Sequence, residues 1–112
     1  MAAGKYDIVI DQGSDFSLQI QIAQDGSNIN LVNQTASAQL RPSPTSNTLT
    51  ATFTCSTVDQ ANGTLKMYLG YGATRNVAAG KYYYDLELHN TSANTTTRLI
   101  EGIARVTPEV TR

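Results

Sequence analysis

Apolar and polar side chains alternate with a period of two in segment after segment of this chain, which is the period of a strand with one buried and one wet face. Tyr6, Ile8 and Ile10 interleave with Asp7, Val9 and Asp11. Phe16, Leu18, Ile20 and Ile22 interleave with Ser17, Gln19 and Gln21, and the pattern resumes from Thr35 until Pro42 and Pro44 stop it. Leu49, Ala51, Phe53 and Cys55 then share one face, as do Leu65, Met67 and Leu69. Gly80 to Leu88 is the strongest strand, with Tyr82, Tyr84, Leu86 and Leu88 facing inward and Tyr83, Asp85 and Glu87 outward. Thr95 to Thr107 closes the series, and Gly102 marks a bulge or a close approach within it.

Turn chemistry punctuates these runs. Asp11 to Asp15 carries Gly13, where positive φ is tolerated, and Asp25-Gly26, Asp59 to Gly63 and Asn90 to Asn94 read the same way. Ile29, Leu31 and Val32 are expected to tuck back onto the core after the Asp25-Gly26 turn. Only Tyr71 to Val77 has the character of a turn of helix. Ser, Thr, Asn and Gln make up about a third of the residues and charged residues only 15%. That balance favours strands and tight turns over helices.

Seven or eight strands in 112 residues, with no long helix and no linker, predict a single all-β domain spanning residues 1–112, an antiparallel β-sandwich. Ala79-Gly80-Lys81-Tyr82 sharpens this to an immunoglobulin-like sandwich, because it matches the tyrosine corner in which a Tyr hydroxyl bonds backbone upstream. Tyr84 then stands where an antibody domain carries a disulfide Cys. The single Cys55 forms no internal disulfide and reads as a small buried hydrophobe.

The charge pattern excludes whole classes of function. Eight basic against nine acidic residues give a net charge of −1 with no Lys/Arg run, which argues against nucleic acid as a partner. The apolar runs fall far short of the roughly 20 residues that cross a bilayer, and the opening residues lack a secretory h-region. One histidine, His89, rules out a triad or a His-based metal cluster, and it reads as a turn residue. Asp85 and Glu87 share a strand face at a separation of about 7 Å, yet they lie on the ordinary solvated side of a sheet. The oxygen-rich Asp11 to Asp15 and Asp25 to Asn28 segments lack the acidic closing ligand of a calcium loop. Neither enzymatic activity nor a cofactor or metal is expected.

Six tyrosines remain to be placed. Tyr68, Tyr71 and Tyr83 are predicted to lie outside, together with Leu99 and Ile103 of the last strand, and these five residues form a candidate protein interface. The competing reading is that they simply cover one another across strands. A different class of function, a carbohydrate-binding or host-adhesion module, would need two or three coplanar aromatics beside Asp, Asn or Gln.

Several segments together resemble a known group. They are Gly13 to Ile20, Asn30-Leu31-Val32 after a polar loop, Gly63 to Leu69, Gly80 to Leu86, and the ending from Arg98 to Arg112. The chain is similar to small immunoglobulin-like structural proteins of tailed bacteriophages and prophages, including phage baseplate upper-protein N-terminal domains. The Gly-x-Tyr-x-Tyr-Asp-Leu strand and the Gly-x-x-x-Val-x-Pro-Glu-Val-Thr-Arg ending carry most of the likeness, and the Pro42 to Asn47 loop departs from it. The resemblance implies a virion building block of tail, neck or baseplate, assembled in the host cytoplasm. Its partners would be copies of itself and other virion proteins. Met1 to Lys5 and Pro108 to Arg112, being polar and at the ends, are expected to act as connecting arms.

Overall fold

The computed structural model describes residues 4–24 and 27–111, and the expected Asp25-Gly26 turn lies outside them. The N-terminal run begins with β1 (Gly4–Lys5) and β2 (Ile8–Asp11), followed by β3 (Phe16–Gln21) and the short pair β4 (Ala23–Gln24) and β5 (Ser27–Asn28). The rest comprises β6 (Gln34–Arg41), β7 (Ala51–Asp59), β8 (Thr64–Leu69), a short helix α1 (Tyr71–Arg75), β9 (Gly80–Asn90) and β10 (Thr95–Thr107). The all-β expectation therefore holds, and the one helical turn falls in the Tyr71 to Val77 segment.

Eight strands join into one sheet in the order β1-β10-β9-β6-β7-β8-β3, with β2 also paired to β10. The pairing is mixed and not purely antiparallel: β1 and β2 run parallel to β10, while the other neighbours are antiparallel. Parallel pairing follows from the path, because the first and last strands lie side by side and run the same way. The sheet curls on itself at β7, whose residues Ala51–Phe53 pair with β6 and whose residues from Thr54 onward pair with β8. Phe53 sits at that handover. Its ring meets Phe16 of β3 at 5.9 Å and Tyr84 of β9 at 6.4 Å, both edge-on, so it joins the two halves of the curled sheet.

Inward positions of every long strand fill the space between the halves. Leu40, Leu65, Met67, Leu86 and Ile10 are fully buried, and Leu31 folds back to join them as expected. Ile29 packs at the rim, whereas Val32 turns outward at 50% exposure. Leu49 also leaves the face it was expected to share with Cys55, because β7 begins only at Ala51. Cys55 is half-buried against the core, and burial pushes its thiol above the usual range.

The Tyr82 hydroxyl donates to the Ala78 carbonyl at 2.7 Å, the bond to upstream backbone that was expected of this tyrosine. Tyr84 is buried and its hydroxyl donates to the Tyr6 carbonyl. Burial, with Asp7 and Tyr6 nearby, pushes the Tyr84 phenol up to about 12. Since that value lies above the ordinary 10.0, the folded chain keeps this proton where the unfolded chain loses it. The stability this contributes is complete below pH 10 and is lost as pH rises towards 12. Tyr84→Phe is therefore expected to flatten the alkaline decline of the urea midpoint relative to the parent chain, and equal slopes for the two chains would contradict it.

Two irregularities depart from the sequence reading. The first strand breaks at Tyr6 and Asp7, and Tyr6 is 52% exposed instead of facing inward with Ile8 and Ile10. There the Asp7 carboxylate accepts the Ile103 N–H at 2.9 Å, taking the place of a ladder carbonyl. The bulge in β10 falls between Arg98 and Ile100, leaving Leu99 as the extra residue. Gly102 serves the close approach instead, since a Cβ there would sit 2.2 Å from the Tyr6 carbonyl oxygen.

Candidate functional site

The outer face of the β6-β9-β10 half is a grid set by register. Arg41, Tyr83 and Ile103 lie opposite one another on three successive strands, and Gln39, Asp85 and Glu101 form the next row. Alternation places all six on the side away from the core, because Leu40, Tyr84 and Ala104 point inward. Pro44, in the loop after β6, and Lys5 and Asp7 of the first strand flank this face. Between them lies a hollow of about 390 Å³ with Tyr83 and Ile103 in its lining.

Charges frame this hollow unevenly. Arg98 lies 3.4 Å from Asp85 and 3.6 Å from Glu101, and Lys5 lies 3.4 Å from Glu101. Arg41 forms no ion pair among the described residues; it donates to Gln39 Oε1 at 2.8 Å and to the Ser46 carbonyl at 3.3 Å. Lys81 stands over the Tyr83 ring at 5.4 Å. The arrangement is an aromatic and aliphatic pair with one cation above the ring, one held beside it, and paired carboxylates next to them. Such a surface suits protein contact: area at low entropic cost in the middle, charge at the rim.

The five residues expected at an interface do not share one face. Tyr83 and Ile103 are cross-strand neighbours and stay together. Tyr68 lies on β8, flanked in register by Ser17 and Thr54, on the outer side of the other half, and Tyr71 opens α1 at its end. Asp15 links these two, accepting the Tyr71 N–H at 2.7 Å and holding the Tyr68 phenol above its usual range. Lys66 and Arg75 stand over the Tyr68 and Tyr71 rings at 5.7 and 5.6 Å. Leu99, expected outside, is turned inward by the bulge and packs against the core.

Leu99 lines instead a second opening of about 290 Å³ at the far end of the core, with Leu88, Ile22 and Ile29. His89 lies within β9 and not in a turn, its Nδ1 2.8 Å from the Thr96 hydroxyl across the ladder. Among the described residues no group of three or more His, Cys, Asp or Glu is placed to hold a metal. Among the described residues no helix is long and apolar enough to cross a membrane. Arg41 and Gln39 were missed as site residues, although the alternation that buries Leu40 already placed both on the face of Tyr83.

No family model and no curated protein matches the chain. Among solved structures it is similar to Listeria monocytogenes InlP, with a TM-score of 0.52 and 13% identity over 94% of this chain and 27% of that one. It also overlaps a family 123 glycoside hydrolase from Clostridium perfringens, with a TM-score of 0.45 and 13% identity over 97% of this chain and 24% of that one. The chain thus spans about a quarter of each of those proteins. The likeness to InlP is one of fold alone.

Proposed function

We propose that this chain is a structural building block of a tailed-phage or prophage particle, an immunoglobulin-like domain that works by protein contact and carries no catalytic site. The observation that carries the reading is the Tyr83 and Ile103 hollow, with Lys81 over the ring and Arg41 fixed beside it. The tyrosine corner supports the immunoglobulin-like assignment, and the strand and ending motifs of β9 and β10 support the phage one. Copies of the chain and neighbouring tail, neck or baseplate proteins are its partners, and the particle is its location. The first arm is restricted by Lys5, which already belongs to the sheet and faces Glu101.

The test is incorporation. Tyr83→Ala combined with Ile103→Ser, supplied in trans, is expected to fold with an unchanged circular dichroism spectrum but to enter particles at least about tenfold less than the parent chain, the loss of a small hot spot. Equal incorporation would sink the role of this face. A second reading, a glycan-binding or adhesion module, draws on Tyr68 and Tyr71 beside Asp15. Glycan-array binding that Tyr68→Ala abolishes would favour it.

A further inference from the structure

The two edges of the sheet are treated differently. At one edge β1 has two residues, the chain breaks at Tyr6 and Asp7, and Lys5, Asp7 and Asp11 supply charge. Short, broken and charged strands are how proteins keep an edge from recruiting another. The opposite edge, β3, has none of these devices. Its six residues, Phe16-Ser17-Leu18-Gln19-Ile20-Gln21, pair with β8 in unbroken register and include no charge, Pro or Gly. Among the described residues β8 is its only partner, so alternate N–H and C=O groups of the strand point away from that partner and nothing bonds them. Phe16, Leu18 and Ile20 are only half-buried at the rim of the core.

We infer that β3 pairs antiparallel with β3 of a second copy across a two-fold axis, extending the sheet through both subunits. Self-pairing fits for three reasons. The strand is uncharged, so its own copy meets no like charge along it. A two-fold axis through Leu18 or Gln19 keeps side-chain parity, so each subunit's half-buried apolar row continues into its partner's. Strand addition also satisfies the outward backbone groups without requiring either subunit to rearrange. The inference deepens the building-block reading and rests on it for its purpose, but it uses a surface separate from the Tyr83 and Ile103 hollow.

Sedimentation of the full chain over a concentration series is expected to show a monomer–dimer equilibrium. Amide exchange within residues 16–21 should slow at least about tenfold between the dilute and concentrated ends, as closed edge amides do. Ser17→Lys with Gln19→Lys sets like charges opposite one another for either axis position, and should leave a folded monomer. Ser17→Glu with Gln19→Glu should do the same, and mixing the two variants should restore a dimer that neither forms alone. A monomer at every concentration, a dimer that the lysine pair leaves intact, or slowed exchange in β9 and β10 instead of β3 would each overturn the inference. The Tyr83 and Ile103 variant must keep the β3 dimer. If β3 fails to pair while particle incorporation still depends on Tyr83 and Ile103, the self-pairing is wrong and the building-block reading stands.

Discussion

Gly102→Ala is expected to destabilise the domain by on the order of 3 kcal/mol, at the upper end of what overpacking costs, and to loosen the first strand. The new Cβ would lie 2.2 Å from the Tyr6 carbonyl oxygen, 2.7 Å from its carbon and 3.0 Å from Asp7 Oδ1. Two of those atoms are backbone, which has no rotamer to retreat into. The strand cannot shift cheaply, because the Tyr6 N–H donates to the Glu101 carbonyl at 3.0 Å, the Ile103 N–H donates to Asp7, and the Tyr84 hydroxyl donates to Tyr6. Urea unfolding gives the energy, and exchange of the Tyr6 and Ile103 amides locates the damage. Gly72→Ala is the control: nothing lies within 4 Å of its Cβ position, it sits within α1, and there alanine should be neutral or slightly stabilising. If Gly102→Ala were as harmless as Gly72→Ala, the close approach of β1 and β2 to β10 would be wrong.

The second large effect is at Thr74. Its side chain has 0% exposure, and its hydroxyl accepts the Gly13 N–H at 3.0 Å while reaching the Ser14 carbonyl at 2.8 Å and the Tyr71 carbonyl at 3.2 Å. This one oxygen fastens α1 to the turn between β2 and β3, where Gly13 takes φ 84°. Thr74→Val keeps the shape and removes the hydroxyl, leaving the Gly13 donor and a carbonyl unpaired; the expected cost is about 3 kcal/mol. Thr74→Ser keeps the bonds and loses a methyl, so it should cost about 1 kcal/mol. Thermal unfolding of the pair checks the order, and a valine variant as stable as the serine variant would mean that water replaces the hydroxyl without cost.

Much of this architecture was legible because alternation is local. The faces of β8 and β9, the inward Leu65, Met67, Tyr84 and Leu86, and the Tyr82 corner all follow from neighbours two residues apart. What was not legible depends on partners far along the chain. The break at Tyr6 and Asp7 follows from residues 101–103, nearly a hundred positions away, and the parallel course of the first strands follows from where β10 runs. Leu99 faces inward because a bulge changes the count of alternation, and a run of Thr, Arg and Leu gives no local sign of that. The candidate site divides the same way. Tyr83 and Ile103 were placed by periodicity, whereas the separation of Tyr68 and Tyr71 onto the other half required knowing that the sheet curls at β7.

The most direct test of the central claim is quantitative mass spectrometry of particles purified from cells that encode the chain. The chain is expected in those particles at a fixed, reproducible ratio to the other particle proteins, and that ratio should drop when Tyr83 and Ile103 are replaced. Recovery of the chain wholly as free protein, with none in the particles, would contradict the account.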